Sequence, residues 1–296
     1  MLDFIRRLFA SEVALETRDL PKSLAPSNGR IIGVIAGSGT FPLHFIGEAK
    51  RAGCSVVVAA HLGETDESVE DVADRVEWVK VGELGRLVDF FLSNGCKEVA
   101  MAGGINRIRL FGGVKLDKRG AALIFRLRST KDDIVMRGIA DELATEGITV
   151  IPCTEFLTNC LVRSGLYTKT GLTPEEETDI RVGIEAIVAM GSQHIGQLVV
   201  VRDGVIVAVE AVEGSDATIK RGGELGGRGT VVVKFSKPTQ DMRFDVPTVG
   251  LKTIETMAQA GCRVLALETG RCLFMDEDKA ISLADRRGIS VVGVNR

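Results

Sequence analysis

Between Val231 and Gly250 the chain reads VVVKFSKPTQDMRFDVPTVG, an apolar β-branched run followed by Lys234, Lys237, Asp241, Arg243 and Asp245, with Pro238 and Pro247 fencing the charges. Carboxylates interleaved with cations in so short a span suit chemistry at a phosphate. Cations neutralise the phosphoryl oxygens while a carboxylate orients water or holds a metal ion. Lys237, Asp241, Arg243 and Asp245 are therefore candidate catalytic residues. MRFDV alternates apolar with charged, and Pro247 disfavours helix at Val246, so a strand is predicted here. On a strand Asp241, Arg243 and Asp245 share one face. At about 3.3 Å per residue, Asp241 and Asp245 would have α-carbons roughly 13 Å apart, too far to clamp one ion between them. A solvated surface strand of alternating charge accounts for the same residues equally well.

A second acidic group, AVEAVEGSDAT, carries Glu210, Glu213, Ser215 and Asp216 around Gly214. Its carboxylates could serve Mg²⁺ or Mn²⁺, which take one or two of them together with phosphate and water. A metal site is most economically built from Asp241 with Glu213 or Asp216. The alternative is that Ser215 or Asp216 caps a helix. Gly37-Ser38-Gly39-Thr40 lies where a strand gives way to a helix, so backbone N–H groups and the positive helix end could receive a phosphate there. Pro42 occupies the place of a third glycine, and the next strand ends at Ala59-Ala60-His61 instead of on a ribose-gripping acid; both argue against ordinary NAD binding. Gly103-Gly104 ends another strand, and ligands of open α/β sheets settle beyond such ends. A basic stretch follows, with Arg107, Arg109, Lys115, Lys118, Arg119, Arg126, Arg128 and Lys131 against Asp117 alone. It could attract phosphates or anionic lipid headgroups, or be a solvated helix face.

These residues need a scaffold, and the texture of the chain describes one. RIIGVIAG, CSVVVAAHL, VEWVKV, KEVAMAGG and ITVIP read as strands alternating with helices such as LGRLVDFFLSNG, which ends on Gly95, and DIVMRGIADELATEG, capped by Asp132 or Asp133. That alternation predicts a Rossmann-like parallel sheet covered on both faces over residues 30–167. From about residue 168 to 296 the pattern changes. Thr173 and Pro174 open a helix, and GQLVVVRDGVIVAVE reads as an antiparallel hairpin turning at Asp203-Gly204. GTVVVKF, LKTIETMAQAG and ISVVGVNR complete a mixed α/β domain. Residues 1–29 read as a leader or linker, in which MLDFIRRLFA could form a small amphipathic helix on a membrane or on the protein body.

At 296 residues and 45% hydrophobic content the chain can build two cores, and a net charge of −3 gives no reason to expect nucleic acid. Six scattered cysteines without a C-x-x-C pair read as reduced core thiols of a cytosolic protein. His44, His61 and His194 stand apart, so a His-rich metal site is not expected.

The blocks IGVIAGSGTFP, MAGGINR, DDIVMR, IGQLVVVRDGVIVAVEAVEGSDA, KPTQDMRFDVPTVG and VLALETGRCLFMD come in the order and spacing of the LpxI family, UDP-2,3-diacylglucosamine pyrophosphatases of lipid A synthesis, which the chain resembles over about residues 30 to 296. The resemblance implies two domains with substrate between them, a requirement for Mg²⁺, Mn²⁺ or Co²⁺, and hydrolysis of UDP-2,3-diacylglucosamine to UMP and 2,3-diacylglucosamine 1-phosphate. Its catalytic aspartate falls on Asp241. From the residues themselves, substrate contacts are expected at Gly37, Ser38, Gly39, Thr40, Gly103, Gly104, Asp132, Asp133 and Gly214, and metal ligation at Asp241 with Glu213 or Asp216; the resemblance does not fix the metal ligands. Ser215 and Thr239 depart from the family's usual EGTD and KPGQD without removing a carboxylate. The expected partner is an acylated UDP-sugar whose tails could meet LIF near Ile124 or FLTNCLV, segments that core packing explains more readily, with a homodimer at the cytoplasmic face of the inner membrane. Two rival readings of the residues alone are a nicotinamide-dependent oxidoreductase using the GSG turn and a non-catalytic nucleotide sensor.

Overall fold

In the sequence IIGVIA and SVVVAAH are apolar almost throughout, as strands buried on both faces must be. In the computed structural model they form β1 (Ile31–Ala36) and β2 (Ser55–His61), side by side and parallel. The structure describes residues 29–105, 114–128, 132–191, 193, 195–238 and 240–296. The expected amphipathic helix at 1–10, along with Arg107, Arg109, Lys131, His194 and Thr239, lies outside the described residues.

The first half runs β1, α1 (Phe41–Arg51), β2, α2 (Val69–Val72), β3 (Arg75–Val79), α3 (Leu84–Ser93), β4 (Glu98–Ala102), α4 (Lys118–Leu127), α5 (Asp132–Thr145) and β5 (Thr149–Ile151). Its sheet has the order β3-β2-β1-β4-β5 and every pair is parallel. The strand order reverses between β1 and β4, the kind of point at which open α/β sheets generally receive a ligand. One face packs Ile32, Val34, Val56 and Val58 on Phe45 and Ile46 of α1. The other packs Val57, Ala59 and Val99 on Val88 and Phe91 of α3, Leu123 of α4 and Leu143 of α5. Gly95 follows α3 with φ 71° and closes it, its amide donating to Leu92 O.

The second half contains β6 (Gly165–Leu166), α6 (Pro174–Gly191), β7 (Leu198–Arg202), β8 (Val205–Val209), α7 (Ser215–Gly226), β9 (Val231–Lys234), β10 (Thr248–Val249), α8 (Leu251–Ala260), β11 (Val264–Glu268), β12 (Leu273–Phe274), α9 (Glu277–Arg287) and β13 (Ser290–Val294). Its main sheet has the order β6-β13-β11-β9-β7-β8, with β9, β11 and β13 parallel and the other pairs antiparallel. The expected mixed domain is therefore present, and it already draws on Gly165. A capping box opens α6: the Thr173 amide donates to Glu176 Oε2 (2.9 Å) and the Glu176 amide to Thr173 Oγ1 (3.3 Å). The hairpin turns at Asp203 (φ 49°) and Gly204 (φ 78°), whose amides donate to the buried Asp179 carboxylate at 3.0 and 2.6 Å.

The halves share one core. Val246, Leu273 and Met275 belong to the same buried cluster as Ala36 and Ala102, the last residues of β1 and β4, and Ala60, the next to last of β2. All six cysteines are free, and five are buried.

Candidate active site

The segment expected as the strand MRFDV is a turn. Phe244 N donates to Asp241 O (3.1 Å), and Asp245 N donates to the same carbonyl at 3.4 Å. The cause is Gln240, whose neighbours in sequence do not signal the role. Its Oε1 accepts from Lys237 N (3.0 Å), while its Nε2 donates to Asp245 O (3.0 Å) and Asp245 Oδ2 (2.6 Å). These bonds tie both ends of the loop through one side chain. A five-residue alternation is too weak to hold out against them once no neighbouring strand is available to pair. Asp241 and Asp245 are thus joined across one hydrogen-bonded turn, not at opposite ends of a strand.

The turn is seated on the first domain. Met242 packs against the cluster that also contains Val246, Ile151 and Cys153, and Phe244 against the cluster on the other sheet face. Asp241 accepts from Arg243 N (3.1 Å) and Nε (3.0 Å) at Oδ1, and from Nη2 (2.8 Å) at Oδ2. This fork holds the Asp241 carboxyl below the usual aspartate range, while Asp241 raises the Arg243 guanidinium above its own. The charges of Arg137 and Asp141 on α5 also act on this pair. Arg243 lies 4.8 Å over the Phe244 ring. Lys237 is buried, and no partner for its ammonium group occurs among the described residues.

The three carboxylates expected to serve a metal each hold a different cation. Asp241 has Arg243, Glu213 has Arg221 Nη2 at 2.9 Å, and Asp216 has Lys252 Nζ at 3.0 Å. Glu213 is also held below the usual glutamate range, first by its own backbone amide and then by Arg221, against the effect of burial. Among the described residues no three His, Cys, Asp or Glu side chains are grouped so that they could hold a metal ion. A resident cage does not fit this donor set. An ion carried in by substrate phosphates, which needs only one or two carboxylates, does fit. Gly214 precedes α7 with φ 81°.

The sequence singles out Lys234, Glu210 and Ser215 but not the linkage among them, and Glu268 is not singled out. Lys234, at the carboxyl end of β9, is buried and donates from Nζ to Ser215 Oγ (2.9 Å) and Thr248 O (2.9 Å); Ser215 Oγ in turn donates to Glu210 Oε1 (2.8 Å). Ser215 thus links a buried carboxylate to a buried ammonium. Glu268, at the end of the otherwise apolar β11, accepts from Ser236 N (2.7 Å) and Ser236 Oγ (2.6 Å) and pairs with Arg296 (3.1 Å). The signal available was a single charge ending an apolar strand, at Lys234 and again at Glu268.

At the first sheet the two glycine turns meet each other. Gly37 N donates to Ala102 O (2.8 Å), and Ser38 donates to Gly104 O through both N (2.7 Å) and Oγ (2.9 Å). A β-carbon at Gly37 would collide with Gly104 O, and one at Gly103 would lie 2.6 Å from Ser38 O, so backbone approach explains these glycines. The amides of Gly37 and Ser38 are spent in the turn; Gly39 and Thr40 lead into α1, where Thr40 makes no capping bond. Ala36 O accepts from Thr65 Oγ1 (2.7 Å) and lies 2.8 Å from His61 Nδ1, whose ring burial holds below the usual histidine range. Asp132 and Asp133 begin α5, and their side chains lie outside the described residues. In the basic stretch Arg119 pairs with Glu142 and Glu146, and Arg126 with Glu142, so part of its charge is neutralised within the fold. Leu157 and Val162 of FLTNCLV are core residues.

Comparison with known proteins covers both halves. The model of the LpxI N-terminal domain matches residues 31–160, and that of the LpxI C-terminal domain residues 163–292. The UDP-2,3-diacylglucosamine pyrophosphatase LpxI of Caulobacter vibrioides is 32% identical over 280 residues, spanning 90% of this chain and 98% of that protein. Among solved structures, two biotin carboxylase domains of 2-oxoglutarate carboxylase, a thermophilic one with ADP and that of Hydrogenobacter thermophilus with MgADP, align at TM-scores of 0.28 and 0.27. They share 14% and 15% identity over 62% and 70% of this chain. This chain spans only 38% and 44% of theirs, and the likeness carries no argument.

Proposed function

This chain belongs to the LpxI family, and from that footing we propose that it hydrolyses the pyrophosphate bond of UDP-2,3-diacylglucosamine, releasing UMP and 2,3-diacylglucosamine 1-phosphate. The observation that carries the reading is the end-to-end likeness to the Caulobacter vibrioides enzyme, which spans both domains and the turn bearing Asp241. In the reaction, water oxygen bonds to one phosphorus, the bridging P–O bond breaks, and the departing phosphate takes the electron pair.

The turn offers parts suited to that step. Asp241 is ionised at neutral pH and is the acceptor that orients the water. Its depressed pKa makes it a poor proton store while Arg243 is bound to it. A phosphate competes well for a forked guanidinium. When substrate draws Arg243 onto a phosphoryl oxygen, the Asp241 carboxylate loses its partner and becomes the stronger base. Lys237 supplies a second positive charge, and Asp245, held by Gln240, keeps the turn in register. A divalent ion, Mg²⁺, Mn²⁺ or Co²⁺, would enter on the pyrophosphate and be met by Asp241, with Glu213 or Asp216 reached only by releasing Arg221 or Lys252. When bound it would polarise the phosphoryl oxygens.

The test is a mass-spectrometric assay of the purified full chain against UDP-sugars with and without acyl chains, each with divalent ion or chelator. UMP and the acylated sugar phosphate should appear in equal amounts from the diacylated substrate. No UMP from that substrate sinks the reading, and full turnover in chelator removes the metal from it. Among the described residues no helix is long and apolar enough to cross a membrane. The homodimer implied by the resemblance is checked by sedimentation of the same protein.

A further inference from the structure

We propose that the outer face of α4, centred on Phe125 and ringed by Lys115, Lys118, Arg126 and Arg128, docks on an anionic lipid bilayer. The helix is amphipathic, and its inner face is fully employed. Gly120 and Leu123 are buried, and Leu127 lies so close to α5 that a β-carbon on Gly138 would come within 2.7 Å of it. Lys118, Ala122 and Phe125, spaced i, i+4 and i+7, share the opposite face with Ala121, and all four are exposed. Phe125 is 81% exposed, the highest value among the large hydrophobic residues described, and Leu116 just ahead of the helix is 37% exposed. A phenyl ring held in water on a well-packed helix has no role in the core, which Leu123 already fills.

The charges around the ring are directed outward. Asp117, the acid of this stretch, is consumed by the scaffold: its carboxylate accepts from Gly85 N and Gly120 N, both at 2.7 Å. Arg119 turns inward to Glu142 and Glu146. Arg126 is held at the flank by Glu142, while Lys115, Lys118 and Arg128 have no carboxylate partner among the described residues. The result is a protruding aromatic set among small residues and unneutralised cations. A bilayer surface suits that pattern, because the ring enters the acyl boundary while the cations meet anionic headgroups. The placement also has a use, which rests on the function proposed above. The helix that carries α4, α5, presents Arg137 and Asp141 toward the Asp241–Arg243 pair, so docking here would hold the reacting turn near the surface in which the substrate's tails lie.

The test is flotation of the full chain with phosphatidylcholine vesicles, neutral or containing about one third phosphatidylglycerol. Binding should require the anionic lipid and fall away near 1 M salt, where the screening length is about 3 Å. The double variant Lys115→Glu/Lys118→Glu should bind at least about 25-fold more weakly, at roughly fivefold per cation lost. Glutamate at position 118 suits the first residue of a helix, so folding is not the issue. Phe125→Glu should lose binding, and Phe125→Trp should keep it, with emission quenched by brominated lipid. Thermal denaturation of all three should match that of the parent chain, as exposed positions allow. Equal binding to neutral vesicles overturns the proposal, as does undiminished binding by both charge-bearing variants. So does sedimentation showing that Phe125→Glu splits a dimer while vesicle binding is untouched, which would give the face to a second copy. Protein that binds vesicles yet releases no UMP would refute the pyrophosphatase reading and leave the docking surface standing.

Discussion

Asp241 meets Arg243 through two nitrogens of one guanidinium, and that pairing governs what the carboxylate can do before substrate arrives. Replacing Asp241 with Asn keeps the shape of the side chain and removes the charge. Turnover should fall by at least about 10²–10³-fold, the scale on which a single electrostatic element of an active site acts. Substrate binding measured by calorimetry should persist; a near-normal rate would take the catalytic assignment away from Asp241. The pH dependence has a definite sign. In the proposed reaction Asp241 works ionised, and its folded pKa is lowered by Arg243, so the acid limb of kcat/KM should lie below the ordinary aspartate value of about 3.9. In Arg243→Gln that limb moves to higher pH. The pair's contribution to stability follows the same linkage: it is present above the unfolded aspartate value and is lost as pH falls through the lowered folded one.

At the scale of elements, the two glycine turns differ in why they need glycine, and stability should report it. Gly39 has φ 85° with nothing near its missing β-carbon, so Gly39→Ala costs only the left-handed backbone, about 1–2 kcal/mol. Gly103 has the same φ but faces Ser38 O, so Gly103→Ala adds a clash of about 1–3 kcal/mol more. Thermal denaturation of the two variants should separate them in that order. The strand predicted over MRFDV shows how far local pattern reaches. Met242 and Phe244 do pack into apolar clusters, but on opposite faces of the first sheet, the backbone bonds went to Asp241 O, and the loop was closed by Gln240. Gln240→Leu removes those ties. It should lower turnover more than stability, because the turn's apolar residues stay packed.

For the whole molecule, the shared core decides behaviour. Leu273 is fully buried in the cluster that joins both halves, and its amide donates to Pro247 O at 2.8 Å, just past the turn that carries Asp241. Leu273→Ala should cost about 2–5 kcal/mol. Calorimetry should show the full chain unfolding in one transition that this variant shifts as a unit. Two separate transitions, with only the later half moved, would mean that the halves fold independently.

Both folded units could be read from residue order, because apolar runs, glycine turns and caps such as Thr173 with Glu176 are local signals, written within a few residues. The order of the family blocks likewise pointed to the LpxI family. The partners of each charge could not be read that way. Lys234 joins Ser215 and Thr248, Glu268 joins Ser236 and Arg296, and the glycines of β1 and β4 explain one another, all across long separations in sequence. Charge pairing depends on distances of a few ångströms, and only the folding of each sheet with its helices brings those atoms within reach.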